Sequence, residues 1–199
     1  YYATYTAYSG KAIRSELLET QDFLSFRMSP LRGAAAQNKG MALFPRKIDG
    51  KYTMVSRLDG ENLFLTRSDD VCFWEDPKLL QVPKFYWELV QIGNCGSPME
   101  TKEGWLLLTH GVGPMRQYCI GAMLLDLDDP SKIIGQTEEP LLVPTAEERS
   151  GYVPNVVYSC GGMIHDEVVV IPYAMSDVAT SFATVELEAL LKAMKAQRP

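Results

Sequence analysis

The chain has 199 residues, 46% of them hydrophobic, and a formal net charge of -6. This acidic balance, with lysines and arginines scattered rather than clustered, argues against the basic face that nucleic acid requires, so no nucleic-acid partner is expected. No apolar run reaches the ~18 residues of a spanning helix, so no membrane partner is expected, and the reading is a cytoplasmic protein with apolar content enough for a packed core.

Residues 1–8 alternate aromatic and small side chains, turn at Ser9 and Gly10, and return through residues 11–20, which predicts a hairpin. Residues 21–26 read as a helical turn or loop, and residues 28–39 as irregular, with Pro30, Gly33 and three alanines. The runs 41–47, 51–57 and 62–68 are separated by Asp49-Gly50 and Asp59-Gly60. Asp-Gly between two such runs is a strong hairpin signal, so a three-stranded meander is expected. Residues 69–80 read as loop, with Trp74 as a packing anchor and Glu75 to Lys78 as a surface turn, and residues 87–91 read as a further strand.

A bend at Gly93, Gly96 and Pro98 leads into two strand-like runs, 105–110 and 117–126, joined through Gly111, Gly113 and Pro114. His110 ends the first run, with Glu88, Gln91, Asn94, Glu100, Arg116 and Tyr118 nearby in sequence. Polar groups crowded between apolar strands mark the kind of loop cluster that a rigid sheet holds for function. Residues 128–132 form a turn, 141–143 a short apolar run and 146–150 a polar stretch. Residues 153–160 and 167–172 are expected to pair around Gly161-Gly162, with His165 and Asp166 in a surface turn. Residues 181–187 read as the last strand, and 188–197 as the one convincing helix, from apolar positions at helical spacing.

About ten short strands and one terminal helix leave a sandwich, a barrel and a propeller open. The four cysteines, Cys72, Cys95, Cys119 and Cys160, lack metal-finger spacing and read as reduced thiols. The two histidines stand far apart, so no metal site is expected. There is no glycine-rich nucleotide loop and no Gly-x-Ser-x-Gly elbow.

Six segments, in order along nearly the whole chain, resemble glycoside hydrolase family 130, the β-mannoside phosphorylases and β-mannosidases: YYATYTAYSG, QNKGMALFPRKIDGKYTMVSR, WELVQIGNCGSP, GWLLLTHGV, CIGAMLLDLDDPSKIIG and YVPNVVYSCGG with IPYAMSD. The resemblance implies a five-bladed β-propeller, of which residues 1–199 would form the later three or so blades with a short C-terminal helix. It implies a β-mannoside oligosaccharide as substrate, cleaved with inversion by water or by inorganic phosphate as co-substrate, with no cofactor. The family's acid is an Asp in a Glu-Asp-Pro-Arg stretch that precedes the segment matched by residues 1–8, so it is expected outside this sequence.

The same resemblance assigns Arg57, His110 and Tyr118 to a phosphate or water site and Tyr173 and Asp177 to sugar binding; Lys39, as the next basic residue, and Gln91, by its position, are further candidates for the first, and Asn38 and Asp59, by residue type, for the second. A guanidinium suits a phosphate or sugar oxygen, an imidazole can donate to phosphate, and an amide suits sugar hydroxyls. Asp59 in its Asp-Gly pair equally suits a plain turn residue. Two positions depart from the phosphorylases: Gln91 stands where they carry Lys before Ile-Gly, and Glu100 where a second Lys often precedes the Thr. A carboxylate facing a bound anion at ~4 Å would cost on the order of 4 kcal/mol at an effective dielectric near 20. Glu100 in the pocket would instead suit the base of an inverting hydrolysis. The expectation therefore leans slightly to hydrolysis, with phosphorolysis to mannose 1-phosphate as the alternative. A non-catalytic carbohydrate-binding or structural propeller stands as a rival from another class, and a homo-oligomer is left open.

Overall fold

A computed structural model describes residues 1–196. It contains four antiparallel sheets that follow one another along the chain, of three, four, five and four strands. The first comprises β1 (Tyr2–Tyr8), β2 (Ile13–Glu19) and β3 (Arg27–Pro30). The second is a meander of β4 (Lys39–Leu43), β5 (Tyr52–Arg57), β6 (Leu63–Ser68) and β7 (Lys78–Gln81). The third holds β8 (Gln91–Asn94), β9 (Met99–Thr101), β10 (Gly104–Val112), β11 (Tyr118–Leu125) and β12 (Ile133–Gln136). The fourth holds β13 (Val157–Tyr158), β14 (Met163–His165), β15 (Val168–Met175) and β16 (Ala179–Glu186), and the chain continues into α1 (Leu187–Ala196).

The all-β expectation and the terminal helix hold. The blade count differs: there are four propeller-like sheets where three or so were expected. The extra strands are short ones of three or four residues, β3, β7, β9, β12 and β14. Pieces that short carry no readable alternation. The expected strand at 87–91 is instead a 3-10 turn (Tyr86–Glu88) followed by β8. The expected pairing of 153–160 with 167–172 is also corrected. β15 pairs β14 around the exposed His165 and Asp166, and its far end pairs β13, Val157 against Met175. Position 197 of the expected helix lies outside the described residues.

Three apolar clusters lie between successive sheets, which is how sheets bury their faces when stacked side by side. Leu17, Met41 and Met54 belong to the first cluster, Ala42, Val55 and Ile92 to the second, and Val169 and Ile171, with α1, to the third. β10 shows the logic. Trp105 and Leu107 enter the second cluster, while Leu106 and Leu108 enter the third. Alternate side chains leave opposite faces of a strand, so a strand buried on both faces needs the unbroken apolar run WLLL. In α1, Leu187, Leu190, Leu191 and Met194 are buried against the third cluster, and Glu188 and Lys195 sit at the ends that the helix dipole favours.

Candidate functional site

One pocket of about 360 Å³ gathers residues from all four sheets: Thr6 from β1, Lys39 and Gly40 from β4, Arg57 from β5, Asn94 from β8, His110 from β10, Tyr118 from β11 and Tyr158 from β13. Register explains the convergence. Lys39 pairs directly with Arg57 across β4 and β5. His110 pairs with Gly93 on one side and Ile120 on the other, and Val112 pairs with Gln91 and Tyr118. His110 and Val112 are two apart on one strand, so Gln91, His110 and Tyr118 share a face.

Arg57 is the centre of the polar network and is 7% exposed. Its Nη1 donates to His110 Nε2 at 2.9 Å. Gln91, with its amide oriented to satisfy both neighbours, accepts from the same Nη1 at 2.6 Å and donates to Gly60 O at 3.2 Å. Nε has no partner among the described residues, and among them neither Arg57 nor Lys39 forms an ion pair with a carboxylate. Like charges directly opposed across two strands are destabilising, and a buried cation without a counter-charge is costly. The pair is thus poised for an anion.

His110 is neutral. Burial first, then the Arg57 guanidinium and, more weakly, Lys39 push its pKa down to about 3, against a hydrogen bond to the Asn94 backbone. Because an arginine only donates, Nε2 is the acceptor and Nδ1 carries the proton, beside Cys95 Sγ at 3.9 Å. Burial pushes that thiol up to about 12, so it too is uncharged. In this arrangement Nε2 of His110 holds the guanidinium. Tyr118 stacks on the imidazole with ring centres 6.1 Å apart, and Tyr158 meets it edge-on at 5.0 Å. Gly93 permits the packing, since a Cβ there would stand 2.4 Å from His110 Cε1.

This neutral state carries a pH signature. An unfolded histidine titrates at about 6.5, whereas folded His110 titrates at about 3. Between those values the unfolded chain holds a proton that the folded chain does not. Stability therefore rises with pH across the window, is fully present above it, and is lost as pH falls through it. Urea midpoints should drop between neutral and mildly acidic solution, and His110→Asn should flatten the drop; equal slopes for the two proteins would contradict this assignment.

The remaining candidates fall elsewhere. Glu100 pairs with Trp105, five residues from His110 on β10, or about 17 Å at ~3.4 Å per residue. It accepts from Arg46 Nε and Nη2, at 2.9 and 2.7 Å, which keeps its carboxyl below the usual range. Glu100 as a base in the pocket is thus corrected: β9 is registered to the opposite end of β10. Asp59 accepts from the Glu61 and Asn62 backbones at 2.9 and 2.8 Å, and so serves its own turn. Asn38 is half-buried at the rim beside Gly60. Tyr173 donates to Glu148 at 3.1 Å and lines a separate groove on the fourth sheet, and Asp177 is an exposed turn residue with φ +55°. Glu75 accepts from Ala34 N at 3.2 Å in the expected surface turn.

Thr6 and Tyr158 line the pocket without having been selected from the sequence, and Asn94 was named only among the polar groups near His110, with no role assigned. Asn94 had a signal, a polar residue beside Ile92-Gly93 where the strand ends. Thr6 and Tyr158 had none, because each reaches the pocket from another sheet.

The family model for glycoside hydrolase family 130, described as β-1,4-mannooligosaccharide phosphorylase, covers residues 1–196. The chain is 40% identical over 154 residues to a 1,2-β-oligomannan phosphorylase of Thermoanaerobacter sp. (strain X514), covering 76% of this chain and 51% of that protein. It is 34% identical over 202 residues to a β-1,2-mannobiose phosphorylase of the same organism, covering 94% of this chain and 63% of the relative. The solved β-1,2-mannobiose phosphorylase from Listeria innocua, in complex with β-1,2-mannobiose, superposes with a TM-score of 0.87 at 27% identity, covering 98% of this chain and 57% of that one. The chain thus spans between 51% and 63% of the length of these relatives.

Proposed function

The chain belongs to glycoside hydrolase family 130, and on that premise we propose that the protein is an inverting β-mannoside phosphorylase in which this chain carries the phosphate site. The observation that supports it is Arg57, buried, held by two neutral side chains, and opposed by Lys39 with no carboxylate among the described residues to balance either. In this reading Lys39 and Arg57 bind inorganic phosphate, His110 and Gln91 orient the guanidinium, and Tyr118 and Tyr158 wall the imidazole from water. A phosphate oxygen attacks the anomeric carbon from the face opposite the glycosidic oxygen. The bond from that carbon to the leaving oxygen breaks, a carbon–oxygen bond to phosphate forms, and the leaving oxygen takes a proton from an acid. The products are α-mannose 1-phosphate and the shortened mannoside. Among the described residues, the pocket lining includes no carboxylic acid. That fits an acid supplied by an Asp of a Glu-Asp-Pro-Arg stretch, which residues 1–199 do not contain.

The lean to hydrolysis rested on Gln91 and Glu100, and it is reversed. Glu100 sits far from Arg57, and Gln91 is a neutral brace that leaves the cationic character of the site intact. Relatives at 40% and 34% identity are phosphorylases of β-1,2-linked mannosides, and another at 34% identity is a β-1,4-mannooligosaccharide phosphorylase; the higher identity of the first supports the β-1,2 linkage as the one cleaved. Full-length protein incubated with β-1,2-mannobiose should form mannose 1-phosphate only when phosphate is present. Release of mannose at an unchanged rate without phosphate would overturn phosphorolysis in favour of hydrolysis, and no turnover of β-1,2- or β-1,4-mannobiose under either condition would favour a non-catalytic propeller.

A further inference from the structure

Two buried polar atoms of the pocket have no partner among the described residues: Arg57 Nε, a donor, and Asn94 Oδ1, an acceptor. Their residues are only 7% and 5% exposed. Both atoms border the same space. A Cβ built on Gly40 would lie 3.8 Å from Asn94 Oδ1 and 3.9 Å from Arg57 Nε. Gly40 has φ +82°, a conformation that favours glycine, and a Cβ there would also touch Arg57 Cβ at 3.4 Å, so glycine lets Arg57 and Asn94 approach the same point. The backbone sets the amide's orientation, since Asn94 Nδ2 donates to Gly96 O at 3.5 Å. Turning the amide over would bring two oxygens together. The acceptor therefore lines the pocket beside the two cations Lys39 and Arg57, and an unmet buried acceptor is unfavourable.

We propose that Asn94 is a specificity-determining residue: its Oδ1 accepts the hydroxyl proton of bound inorganic phosphate, and so selects a protonated oxyanion over a fully ionised one of similar size. The inference rests on the reading of this pocket as a phosphate site. Inorganic phosphate keeps at least one O–H through the neutral range, whereas sulfate has none. The HPO4²⁻ form of phosphate and sulfate are both tetrahedral dianions, so for that form charge alone does not distinguish them. With sulfate, Oδ1 meets a second lone pair instead of a hydrogen, which is the repulsive element that specificity requires. Arsenate keeps an O–H and is accepted. The contact also orients the nucleophile: the protonated oxygen is held on Asn94, and an unprotonated oxygen is left for the anomeric carbon.

The test is calorimetric titration of the full-length protein at neutral pH with phosphate, arsenate and sulfate, for the wild type, Asn94→Ala and Asn94→Ser, each shown to fold by circular dichroism. The wild type is expected to bind phosphate and arsenate about tenfold or more tightly than sulfate, the size of one buried hydrogen bond lost. Asn94→Ala is expected to close most of that gap by weakening phosphate and arsenate but not sulfate, and Asn94→Ser to fall between. The wild-type ratio needs no variant, so a misfolded mutant does not shield the proposal. Sulfate binding the wild type as tightly as phosphate overturns the role of Asn94 and leaves the phosphate site standing. So does a gap that persists in Asn94→Ala while KM for mannobiose rises, which would place a sugar hydroxyl on Oδ1. A wild type that binds none of the three anions, with or without mannobiose present, overturns the phosphate site itself and this inference with it.

Discussion

Arg57→Gln is expected to lower kcat/KM for phosphate by about 10²–10³-fold, the range found when one preorganised charge-stabilising donor is removed from an active site. The loss should come with a raised KM for phosphate, because the substituted group is the one that grips the anion. Arg57→Lys should recover only part of it, since an ammonium keeps the charge but cannot reproduce a guanidinium braced by His110 Nε2 and Gln91 Oε1. The same change has the opposite sign for folding. Arg57 is buried opposite Lys39, so removing its charge relieves a like-charge pair and leaves no orphaned counter-ion. Without phosphate, Arg57→Gln should melt no lower than the wild type; added phosphate should then raise the wild-type melting temperature and leave the variant's unchanged. A variant that unfolds readily yet retains its phosphate KM would show Arg57 to be a structural cation, and the site assignment would fall.

Trp87→Ala is expected to destabilise the fold by about 3–5 kcal/mol, the usual cost of truncating a buried tryptophan. In a protein of this size that shifts the melting temperature by roughly 6–20 °C. Trp87 is 2% exposed, and its indole N–H donates to Glu138 O at 2.8 Å. Its ring lies flat against two strands at once: a Cβ on Gly111 would stand 2.4 Å from it, and one on Gly121 2.5 Å. Those glycines are in β10 and β11, next in sequence to His110 and Ile120, which pair with each other. The ring is thus the floor under the strand ends that present His110 and Tyr118. Trp87→Phe should cost less, keeping much of the apolar volume while forfeiting the bond to Glu138. Thermal or urea denaturation reads both variants, and a wild-type-like midpoint for Trp87→Ala would refute this account of the floor.

The features legible in the sequence were the locally encoded ones. Asp49-Gly50 and Asp59-Gly60 announced the meander of β4 to β6, and Leu187 to Met194 announced the helix by their spacing. Trp74, expected to anchor a loop, is fully buried. The ordered segments of family 130 pointed to Arg57, His110 and Tyr118, with Lys39 as the next basic residue, and the fold brings all four into one pocket. The two departures from the family pattern show where local reading stops. Gln91 and Glu100 lie nine positions apart in the sequence and looked equivalent. Yet β8 is registered to the His110 end of β10 and β9 to its Trp105 end, so one braces the guanidinium and the other pairs with Arg46.

What the sequence by itself determined is the longer strands, the Asp-Gly turns and the helix, together with the kinds of groups available, because backbone sterics and the alternation of side chains act between neighbours in the chain. Only the tertiary structure decided which of those groups meet. Thr6, Asn94 and Tyr158 join the pocket, Glu100 leaves it, and His110 becomes a neutral acceptor for Arg57. Each of these outcomes depends on strand register and on the stacking of four sheets, which are set by packing between residues far apart in the chain.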